Sequence, residues 1–114
     1  MKAIRTTVTL MVKDMTEAVN FYCNVLELPL KAQHGEHYAE IDAGNMNIGL
    51  HPSQSVAPSP SVQLGIAVEN FDEEVTRLES HGLKVKVQND SWSRLATFKD
   101  ADGHVIYLAE SKNI

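Results

Sequence analysis

The chain has 114 residues, 43% of them apolar and 22% charged, with a formal net charge of −5. That length and composition suit one globular unit (residues 1–114) with a buried core and exclude a disordered chain. No apolar run approaches the roughly 20 residues of a membrane helix, and an acidic balance without a basic cluster argues against nucleic-acid binding.

Met1-Lys2-Ala3-Ile4-Arg5 leads straight into a strand pattern without the apolar stretch of a signal peptide. With the single Cys23, which excludes an intrachain disulfide, this predicts a cytoplasmic protein. Cys23 itself falls inside a helical pattern and reads as a small core residue.

Residues 4–12 alternate, with Val8, Leu10 and Val12 on one face and Thr7, Thr9 and Met11 on the other. Asp14 and Glu17 mark a capped helix start, followed by Met15, Ala18, Val19, Tyr22, Val25 and Leu26 at helical spacing. Strands are predicted near 30–34, 37–42 and 46–51, separated by Gly35 and by the Gly44-Asn45 turn. Residues 52–60, with Pro52, Pro58 and Pro60, read as a linker. Beyond it Leu64, Ile66 and Val68 alternate with Gln63, Gly65 and Ala67. Asn70 and Glu73 predict a second cap, Phe71, Val75 and Leu78 a helix stripe, and Gly82 its end. Strands near 83–88, 94–99 and 104–110 complete the second half, with Asp102-Gly103 as a turn.

The halves match in order. Val12-Lys13-Asp14-Met15 recurs as Val68-Glu69-Asn70-Phe71, an offset of 56 (12 to 68). Asp42-Ala43-Gly44-Asn45 recurs as Asp100-Ala101-Asp102-Gly103, an offset of 58 (42 to 100), as if one two-residue insertion intervened. The fold class is therefore α+β: two βαβββ modules, residues 1–51 and 61–114, from an internal duplication.

Val12-Lys13-Asp14-Met15 with Phe21-Tyr22 and Leu26-Glu27-Leu28, then Trp92-Ser93-Arg94, Phe98-Lys99-Asp100-Ala101-Asp102-Gly103 and Ile106-Tyr107-Leu108, resemble the glyoxalase/bleomycin-resistance/dioxygenase (vicinal oxygen chelate) family. The resemblance spans essentially the whole chain. It departs at Ala101, where the family more often has Pro. It implies curved mixed sheets, or half-barrels, around a ligand cavity, often in a homodimer. It also implies two His or Glu metal ligands per module, at positions matched here by Thr7, Gly49, Gln63 and Tyr107. Neutral hydroxyl and amide groups, a glycine and a phenol are poor ligands for a divalent ion. No metal or other cofactor is therefore expected, which argues against a metal-dependent glyoxalase or dioxygenase.

Alternation then nominates Thr7, Thr9, Met11, Gly49, His51, Gln63, Phe98 and Tyr107 as the lining of a metal-free ligand site, with Tyr38 if that face of the 37–42 strand is the concave one, and side-chain chemistry adds Trp92 and Arg94. The ligand would be a small organic compound, aromatic or cationic, such as an antibiotic that the protein sequesters. Trp92 offers a stacking face in a segment the family uses as a flap. Arg94 suits either an anionic group or a surface ion pair. For Phe98, alternation relative to Lys99 and Asp100 favours the cavity wall over the core. The alternative is a lyase, isomerase or other enzyme of the same family. It would use His51, Glu40 and Tyr107 as an acid–base cluster or hold a metal by atypical ligands, unless His51 and Glu40 are merely solvated.

Overall fold

Thr7–Val12 forms the first strand, β1, and Asp14 begins the first helix. The Asp14 carboxylate accepts the Glu17 amide at 2.9 Å, so α1 (Met15–Asn20) opens with the cap its sequence predicts. Regular α-helix stops at Asn20, earlier than the apolar stripe suggests, because Phe21–Val25 widens into a π turn closed by the Leu26 amide on the Phe21 carbonyl at 2.9 Å. The wide turn lets two consecutive aromatics, Phe21 and Tyr22, point inward, edge to face with ring centroids 5.2 Å apart. Cys23 lies in the same turn, half-buried, and burial pushes its thiol up, away from a reactive thiolate. Three strands follow: β2 (Leu30–His34), β3 (Tyr38–Asp42) and β4 (Asn47–Pro52).

Among the residues that this computed structural model describes, 1–89 and 92–111, the chain divides into two compact units, Met1–Ala57 and Pro58–Ile114. Residues 90, 91 and 112–114 fall outside the description; they include part of the flap expected around Trp92 and the end of the expected second module. The second unit holds β5 (Gln63–Val68), α2 (Phe71–Ser80), β6 (Lys86–Asn89), β7 (Arg94–Lys99) and β8 (Val105–Glu110). Each unit is a βαβββ half-barrel module with an open, mixed sheet, ordered β1-β4-β3-β2 in the first and β5-β8-β7-β6 in the second.

Asn70 stands at the start of α2 but does not cap it with its side chain. Its backbone is left-handed (φ 55°), which turns the carboxamide away from the first-turn amides. At the other end the predicted stop is built as expected. The Gly82 amide donates to Glu79 and the Leu83 amide to Leu78, with Gly82 at φ 85°.

In the first unit the core is Val12, Met15, Ala18, Phe21, Tyr22, Ala39, Ile41, Ile48 and Leu50, under α1. In the second it is Phe71, Val75, Leu78, Ala96, Phe98, Ile106 and Leu108, under α2. Strand registers explain both sets. Ala39 lies opposite Leu50 and Ile41 opposite Ile48, just as Ala96 lies opposite Leu108 and Phe98 opposite Ile106. The corresponding positions of β3 and β7 are thus 57 apart (41 to 98), whereas those of β4 and β8 are 58 apart (48 to 106). The two extra residues expected as one insertion are therefore split, one before β7 and one in the turn after it. A one-residue slip inverts the faces of a strand. This corrects the expectation for Phe98: it belongs to the core beneath α2, not to a ligand-facing wall.

Candidate functional site

Each sheet has one face under its helix and one face without it, and the register assigns the candidate residues. In the first unit Thr9 pairs with Gly49 and Met11 with His51 across the parallel β1–β4 ladder, and Glu40 lies opposite Gly49 across β3–β4. Thr7, Thr9, Met11, Tyr38, Glu40, Gly49 and His51 therefore share the helix-free face. In the second unit Gln63 is opposite Val105 and Gly65 opposite Tyr107, while Thr97 lies opposite Tyr107 on the other side. Gln63, Gly65, Leu95, Thr97 and Tyr107 share that unit's helix-free face. Leu95 and Thr97 were not anticipated; placing the extra residues one at a time would have found them.

A tyrosine covers a glycine on each of these faces. A Cβ on Gly49 would lie 2.7 Å from Tyr38 Oη and 3.0 Å from Thr9 Oγ1, so the Tyr38 ring rests over Gly49. In the second unit a Cβ on Gly65 would overlap Tyr107 Cζ and Oη and come within 2.8 Å of Cε1. Tyr107 thus lies across β5 and β8, with Gly65 absent of side chain beneath it. The two arrangements use different strands: the covering ring comes from β3 in one unit and from β8 in the other.

The charged groups are arranged unequally. Tyr38 donates to Glu40 Oε1 over 3.4 Å. Burial first, and then the Glu40 carboxylate, push the Tyr38 phenol above its ordinary value, against a smaller opposing effect of Arg5. His51 is exposed, and its Nδ1 lies 2.9 Å from the carbonyl oxygen of Pro52. Glu40 and His51 share a face, but the contact that Glu40 makes is to Tyr38, and Tyr107 stands on the other unit.

Arg94 is on the helix side, which corrects its placement among the ligand-facing residues for the same register reason as Phe98. Its guanidinium grips Asp72 with bonds of 2.8 and 3.1 Å and Glu110 at 2.7 Å, and sits 4.7 Å from the centroid of the Phe71 ring. It joins the start of α2 to β7 and β8, as the ion-pair alternative expects. These partners hold the Arg94 charge firmly and draw the Asp72 carboxyl below its usual range through the hydrogen bonds Arg94 donates. Trp92 precedes β7 and is 86% exposed.

The four positions that the resemblance matches to metal ligands do not fit a metal. Thr7 and Gln63 offer neutral oxygens, Tyr38 occupies the space a side chain at residue 49 would need, and Tyr107 lies flat over Gly65. Among the described residues no three His, Cys, Asp or Glu side chains come together as metal ligands.

A family model described as Glyoxalase/Bleomycin resistance protein/Dioxygenase superfamily matches residues 5–108, and the chain belongs to that family. Among solved structures it is similar to TnmS3, an antibiotic binding protein from Streptomyces sp. CB03234, at 25% identity over 97% of this chain and 98% of that one, with a TM-score of 0.81. A glyoxalase/bleomycin resistance protein from the same Streptomyces is 26% identical over 93% of this chain and 99% of that one, TM-score 0.77. A putative glyoxalase family protein from Bacillus anthracis shares the fold at 18% identity, covering 98% of both chains with a TM-score of 0.85. No curated protein matches the chain.

Proposed function

We propose that the protein is a metal-free binder of small molecules, one that takes up an aromatic or cationic compound such as an antibiotic without altering it. The observation that carries this reading is the pair of tyrosine-over-glycine platforms, Tyr38 on Gly49 and Tyr107 on Gly65, standing at or beside the positions that would hold a metal. An aromatic floor with a few polar groups recognises a guest by area and orientation. Likeness to an antibiotic binding protein across nearly the full length supports the same reading. The candidate ligand-facing residues are Thr7, Thr9, Met11, Tyr38, Gly49 and His51 on the helix-free face of the first unit and, separately, Gln63 and Tyr107 on that of the second. The indole of Trp92, 86% exposed, would stack on the ligand. The equal strand order of the two units supports an internal duplication within one domain. A cytoplasmic homodimer completes the proposal.

Calorimetric titration of the purified protein with a panel of antibiotics tests this. At least one compound should bind at micromolar concentration or tighter, with the same affinity before and after chelator treatment, and be recovered chemically intact. Binding that needs a divalent metal, or a ligand that returns converted, would overturn the proposal.

A further inference from the structure

Glu40 occupies an unusual setting on the helix-free face of the first unit. Its register neighbours are Ala32 on β2 and Gly49 on β4, and the Tyr38 ring lies over Gly49, so the carboxylate has a low wall on the β2 side and a phenol ring on the other. It is only half-buried, and among the described residues its side-chain hydrogen bond is the long one from Tyr38 at 3.4 Å, with no ion pair. A carboxylate has about four acceptor positions, so most of its capacity is unspent. The other polar groups of this face make no ion pair with it among the described residues. Asp42 is the next inward-facing residue of β3 and accepts the Gly44 amide at 2.8 Å. His34 lies opposite Tyr38, His51 is turned to the Pro52 carbonyl, and Arg5, whose charge is felt at Tyr38, forms no ion pair with Glu40 among the described residues.

We infer that Glu40 is the anchor for a protonated amine carried by a planar aromatic ligand, with the Tyr38 ring as its floor. The inference rests on the binding reading above and names its ligand class. A neutral apolar guest laid over Tyr38 would cover the carboxylate and strand its charge, which costs free energy. A guest bringing an ammonium or amidinium group would form a charge-assisted hydrogen bond there and gain from the face of the neighbouring phenol ring. Discrimination thus comes as much from the penalty on neutral aromatics as from the attraction of cations.

The probes are 9-aminoacridine, a cation at neutral pH, and acridine, which is neutral there and has the same ring system. Titrated into the full chain at pH 7.5, 9-aminoacridine should bind about tenfold more tightly than acridine, a charge-assisted contact's worth. Glu40→Gln should shrink that preference to about threefold or less by weakening only the cation, with an unchanged far-ultraviolet spectrum and denaturation midpoint. Tyr38→Phe, which keeps the ring and loses the 3.4 Å bond, should retain the preference. Equal affinities in the wild type, or a preference that survives Glu40→Gln, would overturn the inference and leave the binding role standing. If neither acridine binds while a neutral or anionic antibiotic of the panel does, the cation anchor is again refuted. If no member of the panel binds either, the binding role itself falls.

Discussion

Gly65 is where a single methyl group should report most directly on the architecture of the second unit. Gly65→Ala adds a Cβ into space held by the Tyr107 ring, overlapping Cζ and Oη and leaving 2.8 Å to Cε1. The ring's outer end moves more easily than backbone, so the cost belongs in the lower part of the overpacking range, about 1–2 kcal/mol. Remove the ring with Tyr107→Ala and the sign should reverse, because alanine in a strand is favoured over glycine by roughly 0.5–1 kcal/mol. The coupling between the two sites is then about 2 kcal/mol, well outside the additivity expected of independent positions. Urea denaturation of the wild type, both single variants and the double variant measures it. If Gly65→Ala costs the same with and without the Tyr107 ring, Tyr107 does not lie on β5 and the platform is wrong.

Three further outcomes follow from the same geometry. Phe98→Ala should cost about 3–5 kcal/mol as a core truncation, and Leu95→Ala on the opposite face much less; the reverse order in denaturation midpoints would restore Phe98 to a ligand-facing wall. Asp72, whose carboxyl is drawn below its usual value, adds stability above the unfolded value of about 3.9, lost as pH falls through the lower folded value. Asp72→Asn should therefore flatten the acid limb of stability measured by denaturation from pH 5 down to 2. Tyr38 should ionise above the usual value of about 10 in an absorbance titration, and Glu40→Gln should lower its midpoint only partly, since burial is the larger cause; no change on substitution would separate the two groups.

Much of the fold was written in patterns of period two and period 3.6. β1, β5, β7, β8, the Asp14 cap and the Gly82 stop appear where alternation, capping residues and turn residues place them, while β6 starts only at Lys86, later than the strand expected near 83–88. What pattern reading could not reach were events that depend on one residue more or less. The π turn at Phe21–Val25 breaks the helical stripe and buries two adjacent aromatics, Phe21 and Tyr22. Asn70 carries the right residue type for a cap in the wrong backbone conformation. The split insertion directs Arg94 and Phe98 toward α2, whereas alternation along the strand alone sets Phe98 against a ligand. Of the candidate site, the shared face of Thr7, Thr9, Met11, Gly49 and His51 follows from alternation alone. The tyrosine platforms do not, since they depend on which way a ring leans across neighbouring strands.

The slip between β3 and β7 has an engineering consequence. In a pleated strand, length changes act like parity: an even change preserves which layer a residue inhabits, and an odd one exchanges lining for filling. The irregular pairing between Leu30 and Ala32 marks a place in the first unit where such an odd residue is absorbed, while β6 and β7 run in step. Redesign of ligand preference in the second unit should thus begin at Leu95 and Thr97. Variation at Ala96 and Phe98 would be spent on the interior.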